Sequence, residues 1–209
     1  GEITLDLDPA LSPQQNAAKL YKEYNKAKTA ERVLKEQLAQ GAREREYLAS
    51  VLEELDRAES EKDLEEIRLE LTEQGYLRDQ TRGKKMKQPP ARPMEFLSAD
   101  GWPIYVGRNN RQNDQLTCKA AEKGDLWFHA QKIHGSHVIL ACGGKPVSEE
   151  SLEQAAALAA YYSQAREGHL VPVDYCPVRQ VKKPAGARPG MVVYENYRTL
   201  YIVPKGHLN

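Results

Sequence analysis

Cysteine is scarce in this chain, and its pattern excludes a disulfide framework. Cys118, Cys142 and Cys176 are odd in number, far apart and form no CxxC pair, so the expectation is free thiols in a reducing cytosol. Long apolar runs are also missing. No stretch approaches the ~20 residues that span a bilayer, so no membrane partner is expected. The opening GEITLDLDP lacks the basic region and apolar core of a signal peptide. An opening in mid-strand, without Met, reads as part of a longer protein. A P-loop is missing too: Gly143-Gly144-Lys145 is followed by Pro146, where the phosphate-cradling pattern needs Ser or Thr.

Net charge is zero, with 30 Lys and Arg against 30 Asp and Glu, but the charge is divided. Residues 1–75 carry 18 acids and 11 bases; residues 76–209 carry 12 and 19. A basic second half attracts polyanions even in a neutral chain. The composition changes at the same place, which predicts three parts: a helical segment over 1–77, a basic linker over 78–92 and a compact domain over 93–209. The linker, RDQTRGKKMKQPPAR, has six bases, one acid and a Pro-Pro pair.

Ile3, Leu5 and Leu7 alternate with polar residues, the period of a half-buried strand. Ser12, Pro13 and Gln15 then form a helix start. A long helix is predicted from about Pro13 to Arg57. Steps of four and three from Leu20 pass through Leu34, Leu38, Leu48, Leu52 and Leu55, a coiled-coil seam that Gly41 and Arg45 weaken. Such a rod is ~65 Å long and needs a partner helix. A second helix, capped by Asp63 and ended by Gly75, is too short to supply it. The partner is therefore an upstream segment or another chain, and self-association of this stretch is expected.

From Pro93 the pattern turns to short strands: 94–98, 104–106, 126–130, 137–140, 171–175, 178–183, 191–194 and 198–203. Asp100-Gly101 marks a hairpin turn. Asn113 or Asp114 is the expected cap of a short helix through Ala121. Ser148 caps an alanine-rich helix expected to reach Arg166. Pro172 argues for an edge strand. Strands and helices do not alternate, so the expected class is α+β: a long coiled-coil projection followed by a compact mixed α/β domain.

No catalytic constellation emerges. His129, His134 and His137 are spaced HxxxxHxxH, not as HExxH, and no acid lies among them. A Cys118–His129 or Ser136–His137 pair has only proximity in its favour. The expectation is no enzyme, no metal and no cofactor. Binding is better supported. Arg108, Asn109, Asn110, Arg111 and Asn113 offer donors for phosphates and base edges, with Lys119 nearby. Trp127 and His129 share a strand face with Asp125 and could stack on an unpaired base; the alternative is that Trp127 is core. His134 and His137 join them as candidate RNA contacts. Arg179, Lys182, Lys183 and Arg188 form a second cluster, with no acid from Arg179 to Gly190.

These motifs carry a resemblance. GRNNRQNDQLT, DLWFHA, GSHVIL, AAALAAYYSQAR, VPVDYCPVRQVKKPAGARPGMVVY and YRTLYIVP together resemble the RNA-binding NFACT-R domain. LDPALSPQQNAAKLYKEYNKAK, EYLASVLEELDRA and DLEEIRLELTEQGYL resemble the coiled coil before it in bacterial members of the NFACT family. The resemblance covers essentially the whole chain. It implies a cytoplasmic ribosome quality-control factor, whose partners are the stalled large ribosomal subunit (rRNA and stalk-base proteins) and tRNA. It implies support for alanyl-tRNA recruitment and template-free alanine tailing. The family parts best tied to tRNA recruitment, and the helix expected to pair with residues 14–57, would lie outside this stretch. Family members also carry a fibronectin-binding description, so an adhesin is the alternative.

Overall fold

Ser12 and Gln15 cap the first helix reciprocally: the Ser12 N–H donates to Gln15 Oε1 at 2.8 Å and the Gln15 N–H to Ser12 Oγ at 3.3 Å. From there α1 runs Pro13–Arg57, unbroken through Gly41. No interruption appears at the weakened part of the seam, because helix formers and i,i+4 pairs such as Lys35–Glu31 carry the helix through. The computed structural model describes residues 3–78 and 92–208. The expected linker over 78–92 lies almost wholly outside the described residues.

The chain divides into two compact units, Gly1–Glu46 and Tyr47–Asn209. By packing the division falls within α1, and residues 47–78 belong to the unit that holds the sheet. In the first unit the alternating Ile3–Leu7 stretch is not a strand. Alternation alone supplies no pairing partner. Instead Asn16 holds it near the helix start, accepting from the Asp8 N–H at 2.8 Å and donating to the Asp8 carbonyl at 3.0 Å. Tyr21, Tyr24, Leu34 and Leu38 stay exposed, Leu38 at 72%.

In the second unit, the end of α1 pairs with α2, Glu61–Glu73, through buried Tyr47, Val51 and Ile67. Ser60, not Asp63, caps α2. Asp63 sits at the third helical position and completes a capping box with Ser60.

A six-stranded antiparallel sheet follows, in the order β1-β2-β4-β3-β5-β8. Its strands are β1 (Met94–Leu97), β2 (Pro103–Val106), β3 (Leu126–Ala130), β4 (Val138–Leu140), β5 (Val171–Pro177) and β8 (Arg198–Ile202). A small hairpin pairs β6 (Val181–Lys182) with β7 (Val193–Tyr194). The α+β class is as expected. Helix α3 spans Asn110–Gln115 and runs into a π-helical turn, Leu116–Ala120. Its cap is Asn109 rather than Asn113 or Asp114. Helix α4 spans Glu149–Tyr161, stopping short of Arg166.

Both sheet faces are covered. Five alanines and Leu158 of α4 are buried, and the helix closes on Ile104, Val106, Phe128, Val138, Leu140 and Val173. The small side chains allow that close approach. The other face carries Trp127, Ile139 and Cys176, beneath Leu116, Val181, Val192 and Tyr194. Strand β5 lies inside the sheet, between β3 and β8, despite Pro172. The missing N–H falls opposite Gln131, one residue beyond β3, whose own N–H donates to the Pro172 carbonyl at 2.9 Å.

Candidate nucleic-acid interface

Asp63, Glu66, Glu70 and Glu73 recur along α2 in steps of three, four and three, so their carboxylates form one stripe. The donor-rich loop Arg108–Asn113 meets that stripe. Asn109 accepts from the Gln112 N–H at 2.9 Å and donates to Glu66 at 2.5 Å. The Gln112 side chain reaches the same carboxylate at 2.9 Å. Asn110 donates to Ser50 Oγ at 3.1 Å and Glu70 at 3.4 Å. Arg111 pairs with Glu73 at 2.9 Å, and Arg108 lies 3.9 Å from Asp63. Asn113 points the other way, accepting from the His137 N–H at 3.0 Å. A Cβ on Gly107 would collide with that Asn113 side chain, so this crossing needs glycine.

These contacts correct the expectation that Arg108, Asn109, Asn110, Arg111 and Asn113 face RNA. That holds fully for the three asparagines, which are buried; Arg108 and Arg111 pair with the stripe but keep about 30% and 29% of their side chains exposed. Acids on a helix attract donors more strongly when solvent is excluded between them. The spacing of the α2 acids was the sequence signal for this.

Trp127 is not an exposed stacking platform either. It is fully buried. Its ring stacks on His129 at 5.6 Å and 9°, meets His137 edge-on at 5.2 Å and lies 4.7 Å from Tyr194. Thr117 Oγ1 is 2.8 Å from His137 Nδ1. Burial pushes the His129 imidazole down to about 4 and holds His137 well below its usual value. His137 is a buried, neutral ring, which removes it as an RNA contact; His129 is held neutral as well but stays partly exposed. His134 sits half-buried in the turn after β3, its carbonyl accepting from the Gln164 N–H at 3.0 Å. Lys123, by contrast, precedes the start of that strand.

The remaining cations separate by what holds them. Lys183 is bound by Asp114, and Arg188 by Gln74 and Tyr76. Lys182 makes an exposed ion pair with Glu195 at 3.1 Å, a contact worth little in water. Among the described residues, Lys119, Lys123 and Arg179 are exposed and in no ion pair. The Arg179 N–H donates to the Lys123 carbonyl at 3.3 Å, bringing those two segments together. Lys119 and Lys183 both act on Cys118 electrostatically. Among the described residues, Lys119, Lys123, Arg179 and Lys182 face solvent, and Lys183 is partly exposed. Lys123 escaped sequence reasoning because a single Lys before a Gly-Asp turn carries no pattern.

Two carboxylates lie under the helical base. Glu70 Oε1 accepts from the Tyr47 hydroxyl at 2.7 Å, while Oε2 of both Glu54 and Glu70 has no hydrogen-bond partner among the described residues. Burial, and after it the Glu70 charge, pushes Glu54 well up. Burial also raises Glu70, against the hydrogen bonds from Tyr47 and Asn110. Arg57 donates to Ser136 Oγ at 2.9 Å and the Tyr162 carbonyl at 2.7 Å, fastening α1 to the turn before β4. A cavity of about 250 Å³ beside it is lined by Arg57, Arg108 and Arg166, but also by Asp56, Glu59 and Asp63. Those acids offset the guanidinium charge, so it is not an anion site. Among the described residues no group of three His, Cys, Asp or Glu could hold a metal ion, and no helix is long and apolar enough to cross a membrane.

Together these elements make an α+β domain fastened to a helical base, with Lys119, Lys123 and Arg179 exposed on its surface. The chain belongs to the NFACT family. Residues 1–90 match the model of the NFACT N-terminal and middle domains, and residues 92–196 match the NFACT protein RNA binding domain. It is 40% identical over 204 residues to the Rqc2 homolog RqcH of Bacillus subtilis, and 43% identical to that of Streptococcus suis. Each alignment covers 97% of this chain, but only 35% and 36% of the relatives, so the chain spans about a third of their length. The ribosome quality control complex subunit NEMF of mouse is 31% identical over 78 residues, covering 36% of this chain and 7% of that protein. The solved C-terminal part of the fibronectin/fibrinogen-binding protein of Streptococcus suis superposes with a TM-score of 0.84 at 42% identity. That match covers 94% of this chain and 78% of the other.

Proposed function

We propose that this chain is the RNA-binding part of a ribosome quality-control factor and is not itself catalytic. In this reading the whole protein binds a stalled large ribosomal subunit that still holds peptidyl-tRNA. It supports alanyl-tRNA recruitment and template-free alanine tailing in the cytoplasm. The RqcH and NEMF relatives support the ribosomal role, and the NFACT RNA-binding match supports the ligand class. The observation that carries it in this chain is the solvent-facing group Lys119, Lys123, Arg179 and Lys182, beside a hairpin without acids from Arg179 to Gly190. Cations on such a surface neutralise phosphates and release counterions, which makes binding steeply salt-dependent.

The test is RNA affinity across a salt series. Replacing Arg179 and Lys182 with Ala should lower the log–log slope by about 1.4 to 1.8, at roughly 0.7 to 0.9 per phosphate contact. An unchanged slope removes this pair from the interface. Crosslinking of the full-length protein to RNA in cells then reads whether ribosomal and transfer RNA are the partners. The name of the Streptococcus suis structural relative favours a second reading, an adhesin for fibronectin or fibrinogen. Saturable fibronectin binding, with no salt-dependent RNA binding, would support that reading.

A further inference from the structure

The ten residues between β6 and β7, KPAGARPGMV, are anchored at two separate places. Asp114 of α3 holds both ends of the segment. It pairs with Lys183 and accepts from the Gly190 N–H at 3.0 Å. Gly190 has φ +75°, and a Cβ there would run into the Asn110 side chain. The second anchor is Arg188, whose guanidinium donates to Gln74 and to the Tyr76 hydroxyl. It also lies 5.2 Å from the centre of the Tyr47 ring and 5.5 Å from that of Tyr76. Those two rings stack on each other at 6.0 Å. Each partner of Arg188 belongs to the helical base: Tyr47 at the end of α1, Gln74 and Tyr76 just after α2. Between the anchors, residues 184–186 are exposed, and Lys182 precedes them.

We propose that Arg188 is a positioning residue: it clamps the cationic β6–β7 hairpin to the helical base, and so presets the hairpin that carries Lys182 for an RNA phosphate backbone. The inference rests on the RNA-binding reading above. It changes the role of Arg188 from a contact to a fastener. The guanidinium suits this, because a planar fork donates in its plane while its face meets aromatic rings. A lysine keeps the charge but loses both the fork and the stacking. A loop held in its bound shape avoids an ordering cost when the ligand arrives. Arg188 thereby couples the helical base directly to the hairpin, beside the indirect route through Asp114 and α3.

The test uses residues 1–209 with Arg188→Lys, Arg188→Gln, and the pair Gln74→Ala with Tyr76→Phe. The last variant removes no cation. Affinity for a fluorescein-labelled RNA hairpin is measured across a salt series, and amide hydrogen exchange is followed at Ala187, Gly190 and Met191. The clamp predicts faster exchange in all three variants. It also predicts affinity about three- to tenfold weaker at fixed salt, with the salt slope unchanged. A slope lowered by about 0.7 to 0.9 in Arg188→Gln, with Arg188→Lys like the parent, would make Arg188 a direct contact and overturn the clamp. Unaltered exchange and affinity in the Gln74 and Tyr76 variant would also overturn it. If the parent binds no RNA at any salt, the RNA-binding reading fails and the presetting role with it. The exchange data then report separately whether the hairpin is fastened at all.

Discussion

The imidazole of His129 lies flat on the indole of Trp127, 5.6 Å between centres and 9° between planes, beneath the phenol of Tyr194. A charged imidazolium in that layer would lose most of its hydration. Burial accordingly lowers the His129 pKa to about 4. The unfolded value is ~6.5, so the unfolded chain binds the extra proton first. The stabilisation from neutral His129 is complete above pH ~6.5 and is lost as pH falls toward 4, by about 2 kcal/mol at pH 5. Urea unfolding of the parent and of His129→Gln between pH 4.5 and 7.5 should give a shallower acid limb in the variant. Parallel limbs would show that His129 does not carry this dependence.

Glu54 has the opposite sign. Burial raises its pKa, so the fold favours the neutral acid. Stability is lost as pH rises from the unfolded carboxylate value of ~4.3 through the raised folded value. Glu54→Gln retains the shape without the charge. It should stabilise the protein at pH 7 by about 1–3 kcal/mol, the cost of an unsatisfied buried polar group, with the gain fading near pH 4. A variant less stable than the parent at pH 7 would assign Glu54 a net favourable pairing with Arg57.

Asn110→Ala removes the donor shared by Ser50 and Glu70. Leaving a buried acceptor less satisfied costs about 1–3 kcal/mol. Thermal unfolding should show that loss, while the RNA salt slope stays at the parent value, because a neutral buried amide releases no counterion. A changed slope with unchanged stability would return Asn110 to the RNA surface.

Leu34 and Leu38 are 57% and 72% exposed on α1, on the same helix as exposed Tyr21 and Tyr24. Burying one leucine side chain yields ~1.5–3 kcal/mol, and several such residues buried together offset the cost of association at high concentration. Residues 1–209 should therefore self-associate at hundreds of micromolar in sedimentation equilibrium. Leu34→Lys with Leu38→Lys should abolish it. A monomer under those conditions, with full helicity by circular dichroism, would mean that this row needs no partner.

Much of this protein is written locally. The Ser12–Gln15 cap, the run of helix formers to Arg57, the Asp100-Gly101 turn and the alternation of Leu126–Ala130 each depend on residues a few positions apart. A sequence determines such features directly, because hydrogen bonds and rotamers within one turn need no distant partner. The division of charge and the acid-free hairpin are equally sequence properties. Tertiary structure decided what each surface meets. Alternation places Trp127 and His129 on one face, but only the hairpin folding over that face makes it core. The Asn109-Asn110 pair has the chemistry of a base reader; the acidic stripe of α2, more than 35 residues earlier, turned those donors inward. Arg188 reads as one more cation in a basic run until Gln74 and Tyr76, 114 and 112 residues away, engage its guanidinium. The physical reason is the same in each case. A polar or aromatic side chain has the same chemistry toward solvent, RNA or its own chain, and the partner that excludes water from it is chosen by packing between segments remote in sequence.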